Sequence, residues 1–429
     1  MEDTLQARSL AYFDTEYSAD SIEFCPSIPN LFVCGTYQVD QHQTELNSTA
    51  AAQQTEENDG GEGNKPEVVR TGRCYLFKID RNGNNLKELQ RIETPAILDM
   101  KWSPRPWNGY DNVLAIADAK GHVQLYSLDQ ETLQLSLIDI VTVSDESTLC
   151  LSLDWSTRHP SAPEPATIIV SLSNGSLAHL TPPPPPSTSS TSSSTPPTPP
   201  TPPPTFVVSK TWHAHDFEPW IVSFDCWNWN NFSEKTVWSG GDDLKLKGWK
   251  IPQDSDNNER EKQDDDDDED EEEEEEGMEP TFVNKRFEGG VTTITSHPLV
   301  ENLIAVGSYD GQVRLFDKRN PLKPLTSFDV GGGIWRLKWH PSNPQRLLIA
   351  AMHNGFSVID FKGLVATTNV GEGGNLEPGE GELVKRFEGH ESLAYGVDWN
   401  QGNAEQTEDG KDLVASCSFY DHALHVWSV

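Results

Sequence analysis

A two-strand pattern recurs along this chain, and a recurring supersecondary unit limits the possible folds more than any single motif does. In its last occurrence an apolar stretch, Ala415-Ser416-Cys417-Ser418-Phe419-Tyr420, meets a turn at Asp421, and a second stretch ends at Trp427. Residues 303–316 repeat the pattern around Asp310, and residues 239–249 repeat it around Asp243. Aligning on the aromatic that closes the stretch before each hairpin gives seven units, at Phe24, Trp102, Trp155, Trp227, Ser296-His297, Trp339 and Trp399. The second strands fall at 31–37, 113–119, 167–173, 236–242, 303–309, 347–353 and 413–419, and each turns into a third strand. Short strands at even spacing with polar turns predict an all-β array.

Units five and six are spaced close to the ~40–45 residues of a propeller blade. Three inserts lengthen the other gaps: a polar Gly/Glu-rich stretch at 41–65, a Pro/Ser/Thr-rich stretch at 181–205 and an acidic stretch at 254–279. Their composition gives them nothing to bury, so all three are expected to be disordered and without chemistry. The expected architecture over 1–429 is a single seven-bladed β-propeller, in which neighbouring sheets cover one another. The seventh unit stops after its third strand at Val429. Residues 10–14 are expected to supply its outer strand and so remove an open sheet edge.

Charge and cysteine usage exclude several classes. The formal net charge is −36, of which the run 264–276 supplies 13 and the remainder −23. Such a surface repels phosphate backbones, so no nucleic-acid partner is expected. The six cysteines, Cys25, Cys34, Cys74, Cys150, Cys226 and Cys417, form no C-x-x-C pair and sit in apolar runs. This predicts packed, reduced thiols, not a disulfide framework or a zinc site. No apolar stretch is long enough to span a bilayer, and the acidic N-terminus lacks a signal core. A soluble, monomeric, cytoplasmic protein is expected.

The units carry residues that resemble the WD-repeat family, making the expected propeller WD40-type. Unit four has His215, Ser239, Asp243 and Trp249, which in that family form a buried relay of hydrogen bonds. Unit seven has His390, Cys417, Asp421 and Trp427, with Cys417 in the hydroxyl position. These are read as structural residues.

A propeller brings distant turns to one rim. The position just before the turn aspartate reads Tyr37, Ala119, Ser173, Asp242, Tyr309, His353 and Tyr420 around the ring. Three tyrosines, a histidine and a carboxylate suit a lined pocket, although large side chains also plug a channel. Loops into the first strands add Glu218, Trp220, Trp335 and Tyr395. Trp220, Tyr309, Trp335, Tyr395 and Tyr420 beside Glu218 and Asp242 would suit a quaternary ammonium group, with blade packing as the competing role. Gly332 and Gly333 offer backbone N–H groups for an oxyanion, or simply a tight loop. His353 and His422 are the candidate general bases. No G-x-S-x-G, Walker, H-E-x-x-H or dinucleotide signature occurs. No cofactor or metal is required, though His353, His422 and Asp242 remain conceivable metal ligands.

Beyond the repeat itself, residues 212–429 resemble the diphthine methylesterase family, the WD-repeat proteins of diphthamide biosynthesis. The resemblance is strongest in Ser416-Cys417-Ser418-Phe419-Tyr420-Asp421-His422 and in residues 333–341, beginning Gly333-Ile334-Trp335. It implies hydrolysis of the methyl ester of methylated diphthine on translation elongation factor 2, releasing diphthine and methanol. Diphthine carries a trimethylammonium group. The alternative is a non-enzymatic scaffold, such as a trafficking or ubiquitin-ligase adaptor, because fold does not imply function.

Overall fold

The computed structural model describes residues 5–39, 68–158, 165–183, 205–227, 234–252, 278–365, 376–402 and 410–429. Every regular element among them is a β-strand, and the strands form seven antiparallel sheets. The innermost strands of these seven blades are Ala19–Phe24, Ile97–Trp102, Cys150–Trp155, Ile221–Phe224, Val291–Ser296, Arg336–Trp339 and Ala394–Trp399. They lie side by side in that order, and the last packs against the first, so the ring is a closed seven-bladed β-propeller.

Ring closure follows the expected route. Ser9–Asp14 pairs with Ala423–Ser428 as the outer strand of blade seven, with Phe13 opposite Leu424. The Phe13 ring then meets Phe77 of blade one at 4.9 Å, and Thr15 donates to the His422 carbonyl from both its N–H and its hydroxyl, each at 2.9 Å. Apolar clusters span neighbouring sheets: Ala415, Cys417 and Leu424 of blade seven pack with Ile22, Cys34 and Phe77 of blade one. Larger members such as Leu424, Ile22 and Phe77 each contribute ~1.5–3 kcal/mol on leaving water, and neither sheet can bury that face alone.

The aromatic that marks each unit also joins the blades. The indole N–H of Trp102 donates to the Glu23 carbonyl at 3.1 Å, that of Trp155 to Lys101 at 3.1 Å, and that of Trp399 to Lys338 at 3.0 Å. In each pair the acceptor precedes the marking aromatic of another blade. Carboxylates tie the inner strands together as well: Asp154 accepts from the Phe224 N–H at 2.9 Å, and Asp398 accepts from the Phe24 N–H at 2.8 Å. In blade four the inner strand ends at Phe224, three residues before the Trp227 used to align that unit.

The relay of blade four is present. His215 donates from Nδ1 to Asp243 at 2.9 Å, and its Nε2 meets the Ser239 hydroxyl at 2.7 Å; that oxygen accepts from Trp249 at 2.8 Å. Blade seven corrects the sequence reading. Its hydroxyl is Ser416, which meets His390 Nε2 at 2.9 Å and accepts from Trp427 at 3.1 Å. Cys417 is one residue further on, so it faces the opposite side of the sheet, towards blade one.

The insert 41–65 lies outside the described residues, as does most of the other two. Their ends are structured: Thr181 closes the strand Ser176–Thr181, Thr205 donates from its N–H and hydroxyl to Asp139 at 2.9 and 2.8 Å, and Met278 packs on the blade-four core. All six cysteines are buried free thiols. Among the described residues no helix is long and apolar enough to cross a membrane, and no group of three or more His, Cys, Asp or Glu is placed to hold a metal ion.

Candidate functional site

At one mouth of the channel the inner strands begin irregularly. The pairing register skips at Asp20 in blade one, at Leu98 in blade two, at Leu151 in blade three, at Thr292 in blade five and at Tyr395-Gly396 in blade seven. A bulge leaves its extra residue unpaired and re-aims the side chain. One of these positions, Tyr395, joins an aromatic cluster with Trp220 and Trp335, which immediately precede the inner strands of blades four and six, and with Tyr309 at the end of a second strand. Trp335 is its centre. Its ring centroid lies 4.7 Å from Tyr395, 5.8 Å from Trp220 and 6.3 Å from Tyr309, to which it is nearly parallel. Tyr395 continues the row to Phe419 at 4.9 Å, and Phe419 to Tyr37 at 6.2 Å.

Glycines set these distances. A Cβ on Gly333 would sit 3.3 Å from Tyr309 Cδ1, and one on Gly290 would sit 3.1 Å from Tyr309 Cδ2 and 2.3 Å from an Asp242 carboxyl oxygen. The Tyr309 ring therefore lies between two backbones that side chains would push away, with Asp242 beside it. Gly331, at φ 77°, adopts the left-handed turn that starts the triple-glycine loop. Gly332 and Gly333 are half-buried, and neither N–H donates a hydrogen bond within the described residues.

The electrostatics are acidic and partly dry. Burial raises Asp242 above the ordinary carboxylate range; the nearby Trp220 indole pulls it back, and Glu218 pushes it further up. Among the described residues neither that buried indole N–H nor the buried Trp335 N–H meets an acceptor in hydrogen-bonding geometry. The Asp242 N–H donates to the Glu218 carbonyl at 3.0 Å, so the two acidic residues share one corner. Burial, with Asp242 for Tyr309 and Asp20 for Tyr395, raises both phenols well above the usual tyrosine range, so both remain neutral donors. Arg336 lies under the cluster, its guanidinium carbon 5.4 Å from the Trp335 ring centre.

Six of the residues named from sequence thus come together: Trp220, Tyr309, Trp335 and Tyr395 as rings, with Glu218 and Asp242 at one corner. Gly332 and Gly333 adjoin them. Tyr420 is 69% exposed; its ring meets Phe419 at 5.0 Å, and it acts on Tyr395 through its field without joining the row of rings. The reason is turn length. The second strand of blade seven ends at Ser418, so Phe419 is the structural equivalent of Tyr37 and Tyr309. In blade six the second strand ends at Ala350, so the equivalent residue is Ala351, with His353 two positions further round a longer turn. His353 is exposed, with no hydrogen bond, ion pair or ring contact among the described residues. His422 has φ 55° and is held by its backbone carbonyl at the outer strand; nothing among the described residues joins its ring to the cluster.

Asp20 is a site residue the sequence reading missed. It is 5% exposed, its Oδ2 takes no hydrogen bond among the described residues, and burial raises its pKa to about 7 against the opposing pull of Arg336. It stands at a register skip among groups from other blades, and neither leaves a mark in composition or periodicity. Its contrast is Asp99, where burial is outweighed by Lys101 at 2.6 Å and Arg336 at 3.5 Å, bringing the carboxyl down to about 2.

Residues 281–317 match the WD domain, G-beta repeat family. A chain of the crystal structure of the mitotic checkpoint complex superposes with a TM-score of 0.57 at 13% identity, covering 99% of this chain and 93% of that one, which shows the shared fold. Full-length relatives are more informative. The diphthine methyltransferase homolog of Dictyostelium discoideum is 33% identical, covering 96% of both chains. The diphthine methyltransferase of Homo sapiens is 33% identical over 98% of both, and that of Schizosaccharomyces pombe is 27% identical over 96% of this chain and 95% of its own. With one-third identity sustained along nearly the whole propeller, the chain belongs to the diphthine methyltransferase family.

Proposed function

We propose that the protein hydrolyses the methyl ester of methylated diphthine on translation elongation factor 2, giving diphthine and methanol in diphthamide biosynthesis. The observation that carries this reading is the convergence of Trp220, Trp335, Tyr395 and Tyr309 beside Asp242 at one mouth of the propeller. Aromatic faces next to a carboxylate attract a quaternary ammonium, which is too weakly hydrated to prefer water and cannot donate a hydrogen bond. Diphthine, which the relatives are named for, bears such a group. The acidic corner of Glu218 and Asp242 adds attraction without requiring contact.

With the cation seated on the rings, the ester on the same side chain reaches the neighbouring loop. The N–H groups of Gly332 and Gly333 have no acceptor within the described residues and are suited to receive the tetrahedral oxyanion. Water attacks the acyl carbon, and the methoxy group leaves as methanol. His353 and His422 lie outside the contacts of the cluster and have no part in this reading.

The name of the relatives speaks of methyl transfer, and the two chemistries change mass in opposite directions. Purified protein is incubated with a methyl-esterified diphthine substrate, with and without a sulfonium methyl donor. Loss of one methylene, with methanol appearing and no need for the donor, supports hydrolysis. A gain of one methylene that requires the donor, or no change in mass, overturns it.

A further inference from the structure

We propose that the Asp20 carboxylate is the general base that takes the proton of the attacking water, an inference that rests on the hydrolytic reading above. Asp20 sits where the inner strand of blade one skips register, at the mouth that carries the rings. The strand approaches blade seven closely, because a Cβ on Gly396 would lie 2.8 Å from both Ser21 C and Ile22 N. That approach sets Asp20 next to Tyr395, the residue preceding Gly396. Tyr309 and Tyr395 both feel its charge. Asp20 is thus close enough to both tyrosines of the aromatic box to act on them, and within the proposal it serves the ester attached to a cation seated there.

A carboxylate kept for structure would be paired. The cations nearest to Asp20 are already engaged: Lys101 bonds Asp99 at 2.6 Å and Glu23 at 3.0 Å, and Arg336 reaches Asp99 at 3.5 Å and the Leu98 carbonyl at 3.3 Å. They act on Asp20 through their field and give it no hydrogen bond. Among the described residues, the titratable or charged groups facing it are Arg336 from blade six, Asp99 and Lys101 from blade two, Tyr309 from blade five, and Tyr395 and Cys417 from blade seven. Burying an unpaired carboxylate is costly, so the fold retains a group that alternates between its charged and neutral forms near neutral pH. That is the property a general base needs.

In the step itself, the Asp20 carboxylate takes one proton from water as the water oxygen bonds to the acyl carbon. The tetrahedral oxyanion is held by the Gly332 and Gly333 N–H groups. It collapses with cleavage of the acyl carbon–methoxy oxygen bond, and the same proton passes from Asp20 to the departing oxygen as methanol forms. The product acid then ionises, and no redox partner is involved.

The test compares wild type with Asp20→Asn on the methyl-ester substrate. Wild-type kcat is expected to rise with pH through about 7 and then level, because the base works only when deprotonated. Asp20→Asn is expected to lose about 10²- to 10⁴-fold in kcat, with KM unchanged and the limb near pH 7 gone. Full turnover with an unchanged pH profile in Asp20→Asn overturns the assignment while leaving the esterase reading standing. No hydrolysis by wild type overturns that reading itself. Should Asp20→Asn fail to melt cooperatively, the wild-type profile decides, and a kcat independent of pH around 7 refutes Asp20 as the base.

Discussion

Replacing Asp20 by Asn has a stability consequence that needs no substrate. In the unfolded chain this carboxyl titrates at its ordinary value of 3.8; in the folded protein burial raises it to about 7. Below about pH 4 both states hold the proton and the site costs nothing extra. Between the two values the folded state binds more protons than the unfolded one, so stability falls as pH rises. Above about pH 7 the penalty is complete, on the order of 4 kcal/mol at ~1.4 kcal/mol per pH unit. Asparagine has nearly the same shape and no charge to desolvate. The stability advantage of Asp20→Asn over wild type should therefore widen by that amount between about pH 4 and pH 8. Urea unfolding followed by tryptophan fluorescence across this range reads the difference directly, at constant ionic strength. Carboxylates that do not act on Asp20 titrate alike in both proteins and cancel, and Asp99, which does act on it, titrates at about 2, below this range. A difference that stays flat with pH refutes the reasoning, because it would mean that Asp20 is not desolvated in the fold.

Three further outcomes are expected. Ser239→Ala removes the oxygen shared by His215 and Trp249, orphans two buried groups, and should cost roughly 2–5 kcal/mol, read as a lowered melting temperature; an unchanged melt contradicts the relay's structural role. Trp335→Leu keeps the site apolar but removes the central ring, and should weaken binding of a trimethylammonium-bearing peptide by roughly two- to thirty-fold in calorimetry; undiminished affinity rules out the aromatic box. His353→Ala should leave kcat unchanged, since that side chain is exposed and makes no hydrogen bond, ion pair or ring contact among the described residues; a loss of a hundred-fold or more would return the role of base to His353.

The architecture was legible in the sequence because its signal repeats. Seven marked units, the last with three strands, call for one closing strand; residues 10–14 are the expected one, and Ser9–Asp14 fills that place. The rings of the site were legible for a related reason: Trp220, Trp335 and Tyr395 each stand at the start of an inner strand, a position the repeat itself locates. What failed was resolution to a single residue. Strand side chains alternate faces, so a slip of one exchanged Ser416 for Cys417 and Phe419 for Tyr420. A turn two residues longer than expected carried His353 away from its supposed equivalents. Asp20 was invisible for a different reason: a lone aspartate near the N-terminus gains meaning only when blades two, five, six and seven surround it.

The central claim is that this rim delivers water to an acyl carbon. Turnover of the methyl ester in ¹⁸O-enriched water tests it most directly, with both products analysed by mass. Hydrolysis at the propeller mouth predicts one heavy oxygen in the diphthine carboxylate and none in the methanol. Heavy oxygen in the methanol, or a methyl group recovered on another acceptor, would show that the methyl carbon is the centre attacked and would contradict the account.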